Sequence, residues 1–253
     1  MKSLLIISFS DIRSDARVLK QVAEFSQDFE VTTCSYGDKP EGATHHISIP
    51  ENLVHWAYPR LEVVTHQYHR AYWDNPVVRF ARRALYRKEF DAVLANDLDP
   101  VPLALSLNSV YGVHADLHEY SPREKEDVRR WRLFVAPFRS WLCRTYLPRC
   151  ASATTVSLGI AREYEDKFGV AMDVSANATP YHDLKPTPVG YPMRLVYSGA
   201  CLRDRDPVGM VRAVEAADIP VTLDLYLTPN DPGLLAKIKE MALTSGKVRV
   251  HDP

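Results

Sequence analysis

Four short polar clusters carry the residue types that chemistry needs. In Asp116-Leu117-His118-Glu119 an imidazole stands between two carboxylates. That grouping can move a proton or hold a hydroxyl near neutral pH, with Asp116 or Glu119 orienting the ring. The plainer alternative is a core histidine satisfied by a backbone group. Asn96-Asp97-Leu98-Asp99 offers two carboxylates, either to bind hydroxyls or to cap the following helix as exposed loop residues. Asp11 and Arg13 close a third cluster, and Gly199, Arg203 and Arg205 form a fourth just before Pro207. The two arginines could meet an anion, or simply pair with Asp204 and Asp206 on a solvated turn.

The surrounding elements explain why three of these clusters belong together. Residues 3–7 form a fully apolar strand, as expected where helices cover both sheet faces. Ser14 or Asp15 then caps a helix with Val18, Val22 and Phe25 on one side, and Glu30–Cys34 is a second strand. Further strands read at Asp91–Ala95, Gly112–Asp116 and Ala153–Val156. Each ends in a polar cluster, where open α/β sheets place their ligands. The clusters around Asp11, Asp97 and His118 are therefore expected on one edge.

Residues 177–193 hold Pro180, Pro186, Pro188 and Pro192 without apolar periodicity, which marks a domain boundary. The expected division is 1–180, a linker over 181–193, and 194–253. The last segment reads as strand, helix, strand, helix, strand: Arg194–Ser198, Pro207–Ala217, Val221–Leu227, Pro232–Leu243 and Lys247–Val250. Three strands are fewer than such a sheet normally has.

Composition removes several classes. A net charge of −1 gives no global case for nucleic acid. The loop over residues 8–13 has no glycine, which counts against a dinucleotide cofactor. The four dispersed cysteines fit a reducing compartment, and the nine histidines, including His45-His46 and the His66, His69 pair on an expected helix, complete no familiar metal-ligand set. The apolar start is too short for a signal peptide, and no stretch has the length of a membrane span. A cytoplasmic protein is expected.

The ordered motifs resemble a known group. Asp11-Ile12-Arg13 with Ala16–Lys20, then Ala95-Asn96-Asp97, then Asp116–Glu119 resemble the amino-terminal half of GT-B fold glycosyltransferases, most closely the retaining enzymes of family 4. Ala151–Ser157, Phe168-Gly169 and Asn177 look like that group's passage into the linker. Tyr197-Ser198-Gly199 and Arg205 resemble the opening of its donor domain. The resemblance implies a Rossmann-like first domain, an incomplete Rossmann-like second domain, and sugar transfer from a nucleotide-diphosphate sugar to a saccharide or lipid-linked acceptor in polysaccharide or glycolipid synthesis.

It also implies roles. His118, with Asp116 and Glu119, would be catalytic; Asp11, Arg13, Asn96, Asp97 and Asp99 would lie on the acceptor side. Gly199, Arg203, Arg205 and Asn177 would meet the donor, with Gly199 in a turn and the start of the helix at Pro207 directing its positive end toward the diphosphate. No metal or other cofactor is implied. Ala200 stands where the group usually has a basic residue, the acidic Asp206 follows Arg205 where the group has glycine, and its Glu-x7-Glu motif would fall after Pro253. Residues 1–253 alone are therefore expected to be inactive, with a free sheet edge that could support a dimer. A nucleotide-sugar epimerase and a non-catalytic module that binds nucleotide sugars are the alternatives.

Two basic and aromatic stretches remain, Tyr58–Lys88 and Arg129–Arg144. They suit helices lying on the inner face of an anionic membrane, or helices with aromatics inward and arginines, Arg139 among them, outward. Pro137 is expected to kink the second.

Overall fold

Parallel pairing organises both parts of the chain. In the computed structural model, which describes residues 1–252, contacts separate Met1–Thr179 from the remainder beginning at Pro180. The first unit holds a seven-stranded sheet: β1 (Lys2–Asp11), β2 (Phe29–Tyr36), β3 (His45–Ser48), β4 (Ala92–Asn96), β5 (Val113–Leu117), β6 (Ser152–Thr155) and β7 (Asp173–Val174). Their order across the sheet is β3-β2-β1-β4-β5-β6-β7, and every pairing is parallel. Two of these strands, β3 and β7, were not legible as strands. β3 has Ile47 as its one apolar residue, after His45 and His46, and β7 has only two residues, so neither has an apolar run of its own.

The alternation of side chains along β1 shows how the sheet is held. Leu5 and Ile7 join a large core on one face; Leu4 and Ile6 join a smaller one with Val18, Val22, Val31 and Leu94 on the other. Full burial of each such side chain contributes roughly 1.5–3 kcal/mol. The smaller core is closed by α1 (Ala16–Phe25), whose N-cap is Asp15, its carboxylate accepting from the Val18 amide. His45 and His46 lie on β3. His66 precedes the helix rather than joining it: α2 (Arg60–Val64) ends first, and α3 begins at Tyr68 and runs to Trp73.

The larger core is closed by α3, α4 (Pro76–Ala84), α5 (Val101–Ala104), α6 (Ala136–Tyr146) and α7 (Leu158–Phe168). Pro137 lies within a helical run that continues from residue 129 to Tyr146, and the irregularity beside it is a wider π-helical turn, Trp131–Val135, that accommodates its missing N–H. Phe138 is fully buried, and its ring lies 4.8 Å from Tyr58 and 6.3 Å from Trp141. The inward reading of these aromatics is the one observed. The outward reading of Arg139 is not, because its guanidinium is buried.

The second unit has a three-stranded parallel sheet in the order β10-β9-β8, from β8 (Met193–Ala200), β9 (Val221–Thr228) and β10 (Val248–His251). The helices α8 (Pro207–Ala216) and α9 (Pro232–Thr244) connect them. Cys201, Val211, Val214, Leu223, Leu225 and Ile238 form its core. β8 is an edge strand, with Leu195 and Val196 exposed.

Candidate functional site

Parallel strands put the loops after β1, β4 and β5 at one sheet edge, where their polar residues meet. The backbone at Asp97 sets the centre. It has φ 66°, the left-handed region that a short polar side chain tolerates. From there its amide donates to the Asp116 carbonyl at 2.8 Å, and its carboxylate accepts from the His118 amide at 3.0 Å. The His118 ring is thereby held between two acids: Nδ1 is 3.4 Å from Asp97 Oδ2, and Nε2 is 3.5 Å from Asp116 Oδ2. At these lengths both contacts are Coulombic rather than hydrogen bonds, and Nε2 is buried with no hydrogen-bond partner.

Asp116 is the hub beneath the ring. Arg17 grips it with both edges of a fork, Nε to Oδ2 at 2.7 Å and Nη2 to Oδ1 at 2.5 Å. Gln21 and Thr154 add bonds of 2.7 Å each, and Asn96 donates to Gln21 at 2.9 Å. Three side chains therefore donate four hydrogen bonds to its two oxygens, which makes Asp116 a fixed negative charge rather than an acid that exchanges protons. Burial opposes its ionisation, but the interactions with His118, Arg17 and Thr154 outweigh burial and hold the carboxyl well below the usual range. Burial likewise opposes the His118 imidazolium, and Asp116 and Asp97 more than offset it, so the ring stays charged to higher pH than a free histidine.

Asp97 shifts the other way. It lies deep in a concavity, although an opening leaves 47% of its side chain accessible. That crowding pushes its carboxyl up to about 6 against the opposing pull of His118. A raised pKa on an acid means that the folded state binds its proton more tightly, so stability falls as pH rises from 3.8 towards about 6. In Asp97→Asn, denaturant titrations across that window should lose this slope. An unchanged slope would assign it to another group.

Several expectations need correction. Glu119 is exposed and its side chain makes no contact with the ring; Asp97 orients Nδ1 instead. Asp97 caps no helix, since its carboxylate is turned back to His118. Asp99 is buried, accepting from Tyr58 Oη at 2.5 Å and from Arg139 Nη1 at 2.6 Å, while Arg139 also reaches Glu124 at 3.1 Å. Asp11 and Arg13 are half-exposed and pair with each other at 2.7 Å. Arg17, Gln21, Thr154 and Tyr58 had been given no part in the site. Position two residues after the cap of a helix was the signal for Arg17.

Two concavities flank His118. One, about 730 Å³, is open and includes Ser10, Asp11, Ser14, Arg17 and Asn177. Asn177 is tied to Lys20 Nζ at 3.3 Å. The other, about 230 Å³ and more enclosed, is lined by His55, Asp97, Asp99, Glu124 and Arg139. A cleft of about 760 Å³ around Asp91, Asn108 and Gly112, with Glu89 and Arg149 also in its lining, lies at the opposite ends of the strands.

In the second unit, Gly199 lies inside β8, paired with Leu227, and not in a turn. The left-handed residue here is Asp206, which caps α8 through the Gly209 amide at 3.0 Å. The positive end of α8 thus already faces a carboxylate. Arg203 pairs with Asp231 at 3.3 Å rather than with Asp204 or Asp206, and among the described residues Arg205 has no ion-pair partner. Arg203, Arg212 and Lys237 surround a hollow of about 300 Å³ beside the starts of α8 and α9.

No protein-family model matches the sequence, and no curated protein matches it either. Solved structures do. HepE of Anabaena in complex with UDP and glucose aligns over 100% of this chain and 69% of its own, with TM-score 0.59 and 13% identity. Sucrose-phosphate synthase of Thermosynechococcus elongatus aligns over 100% and 70%, with TM-score 0.64 and 12% identity. TarM aligns over 100% and 76%, with TM-score 0.65 and 9% identity. The α/β fold expected from the sequence is the fold these proteins share with it.

Proposed function

We propose that this chain is a GT-B glycosyltransferase, using a nucleotide-diphosphate sugar as co-substrate. The finer reading is a retaining, family 4-like enzyme that works in the cytoplasm on a saccharide or lipid-linked acceptor in polysaccharide or glycolipid synthesis. The observation that carries it is the His118 ring, held between Asp97 and Asp116, partly exposed and lining two concavities. A ring so placed can hydrogen-bond a sugar hydroxyl, and its positive charge favours negative charge developing on a reacting oxygen, while Asp97 and Asp116 supply the negative charge nearby. The likeness to a structure holding UDP and glucose supports the same reading.

Each group then has a part. His118 contacts the reacting sugar or the acceptor hydroxyl, and Asp97 fixes its Nδ1 and takes a share of its proton. Asp116, held by Arg17, supplies constant negative charge behind the ring. In the second unit the hollow near Arg203, Arg212 and Lys237 offers cations to the departing diphosphate, with Arg205 on the same turn. Catalysis of this kind needs fixed charge where charge develops, and no covalent chemistry from the cations.

Calorimetric titration of the 253-residue chain with uridine, guanosine and thymidine diphosphate sugars tests donor use. Binding of one class, weakened at least tenfold when Arg203, Arg212 and Lys237 are all changed to alanine, is the expected result. Silence with all of them, or equal binding of nucleoside monophosphates, sinks the reading. The Asp206 cap on α8 favours one competitor, a non-catalytic module. Donor binding without transfer by the native protein would favour that module.

A further inference from the structure

Exposed apolar side chains are not spread evenly over the first unit. Trp56, Leu61, Val64, Leu133 and Phe134 are 67%, 69%, 48%, 61% and 39% exposed. They belong to two neighbouring pieces of chain: the segment entering and forming α2, and the π-helical turn Trp131–Val135. These pieces are held side by side by the aromatic core beneath. Tyr58, just before α2, packs on Phe138 at 4.8 Å, and Tyr68, just after it, lies 5.6 Å from Phe138 and 5.7 Å from Trp141. Most of the aromatics that gave these stretches their pattern are thus spent inward, while Trp56, Phe134, Leu61, Val64 and Leu133 are left exposed here.

The charges around this tip have one sign in excess. Arg60, Lys125, Arg129, Arg130 and Arg132 are exposed, and among the described residues none forms an ion pair. The nearby acids are mostly engaged: Glu126 pairs with Arg123 at 2.6 Å, and Glu124 with Arg139 at 3.1 Å. Only Glu62 and Asp127 remain against five cations. An apolar tip inside a cationic rim fits a surface that offers hydrocarbon below and negative charge above. A protein partner with an acidic rim lacks one half of that match unless it also presents a wide apolar face.

We propose that α2 and the Trp131–Val135 turn form a membrane-docking tip, inserting Leu61, Val64, Leu133 and Phe134 at the acyl boundary of an anionic bilayer. The same turn leads directly into α6, whose Arg139 lines the enclosed concavity beside His118. Docking there brings that concavity to the lipid surface, which suits a lipid-linked acceptor. The inference extends the functional proposal but is read without a sugar donor, so the two can fail separately.

Co-sedimentation of the chain with phosphatidylcholine vesicles, with and without phosphatidylglycerol, tests it. Binding is expected only with phosphatidylglycerol and should weaken as salt rises. Leu133→Ser with Phe134→Ser, and separately Arg129→Ala with Arg130→Ala, should each reduce binding roughly tenfold or more, with unchanged circular dichroism. Because all four residues are exposed, these variants should fold. No binding to either vesicle overturns the proposal, as does binding that both double variants leave intact. Self-association by analytical ultracentrifugation that Leu133→Ser with Phe134→Ser abolishes also overturns it, because the tip would then be an interface between copies.

Discussion

Arg17→Ala is expected to destabilise the first unit by about 3–5 kcal/mol. In a unit of this size that is a fall in thermal midpoint of roughly 6–20 °C. The reason lies in burial on both sides of the contact: the Arg17 and Asp116 side chains are 10% and 3% exposed. Removing the guanidinium leaves Asp116 charged, buried and held only by Gln21, Thr154 and the His118 ring. Its carboxyl is depressed in the folded state, so its stabilising contribution is present above 3.8 and is lost as pH falls through the folded value. In Arg17→Ala that acid-side loss should begin at a higher pH. Arg17→Met combined with Asp116→Leu should recover part of the deficit, since it removes the charge that was stranded. It should not recover all, because Gln21 and Thr154 lose an acceptor. A change below about 1 kcal/mol for Arg17→Ala would mean that Asp116 is hydrated rather than paired.

That pair also shows where sequence reading stops. Parallel strands, their polar ends and the convergence of Asp97 with Asp116–Glu119 were legible, because apolar runs of β-branched residues have only one place to go in an α/β protein. Which carboxylate meets the ring was not. Glu119 is adjacent to His118 in sequence, yet both lie in the bend after β5 with Glu119 exposed, while the left-handed backbone at Asp97 turns a residue 21 positions away onto Nδ1. Arg139 was misplaced for a similar reason. One arginine among several on an aromatic helix looks like surface, and only the tertiary position of Asp99 and Glu124 reveals the one drawn inward. In the second unit Gly199 suggested a turn, although the strand continues through it and Asp206 takes the left-handed position.

His118→Ala is expected to lower kcat of sugar transfer by the native protein by about one to three orders of magnitude. Its thermal midpoint should shift far less than that of Arg17→Ala. The separation follows from the bonds each residue makes. The structural contact at this position is the His118 backbone amide to Asp97, which alanine keeps. The ring's own contacts are two long ones, and its Nε2 is unpaired. A ring held only by two long contacts contributes little to folding, and its partly exposed edge, not the buried Nε2, is what a ligand can meet. His118→Gln should recover part of the rate if the ring acts as a hydrogen-bond donor, and none if its charge is what matters. The charged ring persists above the ordinary histidine range, so a charge-dependent rate should fall on the alkaline side of 6.5. In Asp97→Asn, with one attracting carboxylate gone, that fall should move to lower pH. A pH profile unmoved by Asp97→Asn, together with full activity in His118→Ala, would remove His118 from the reaction and return the ring to a packing role.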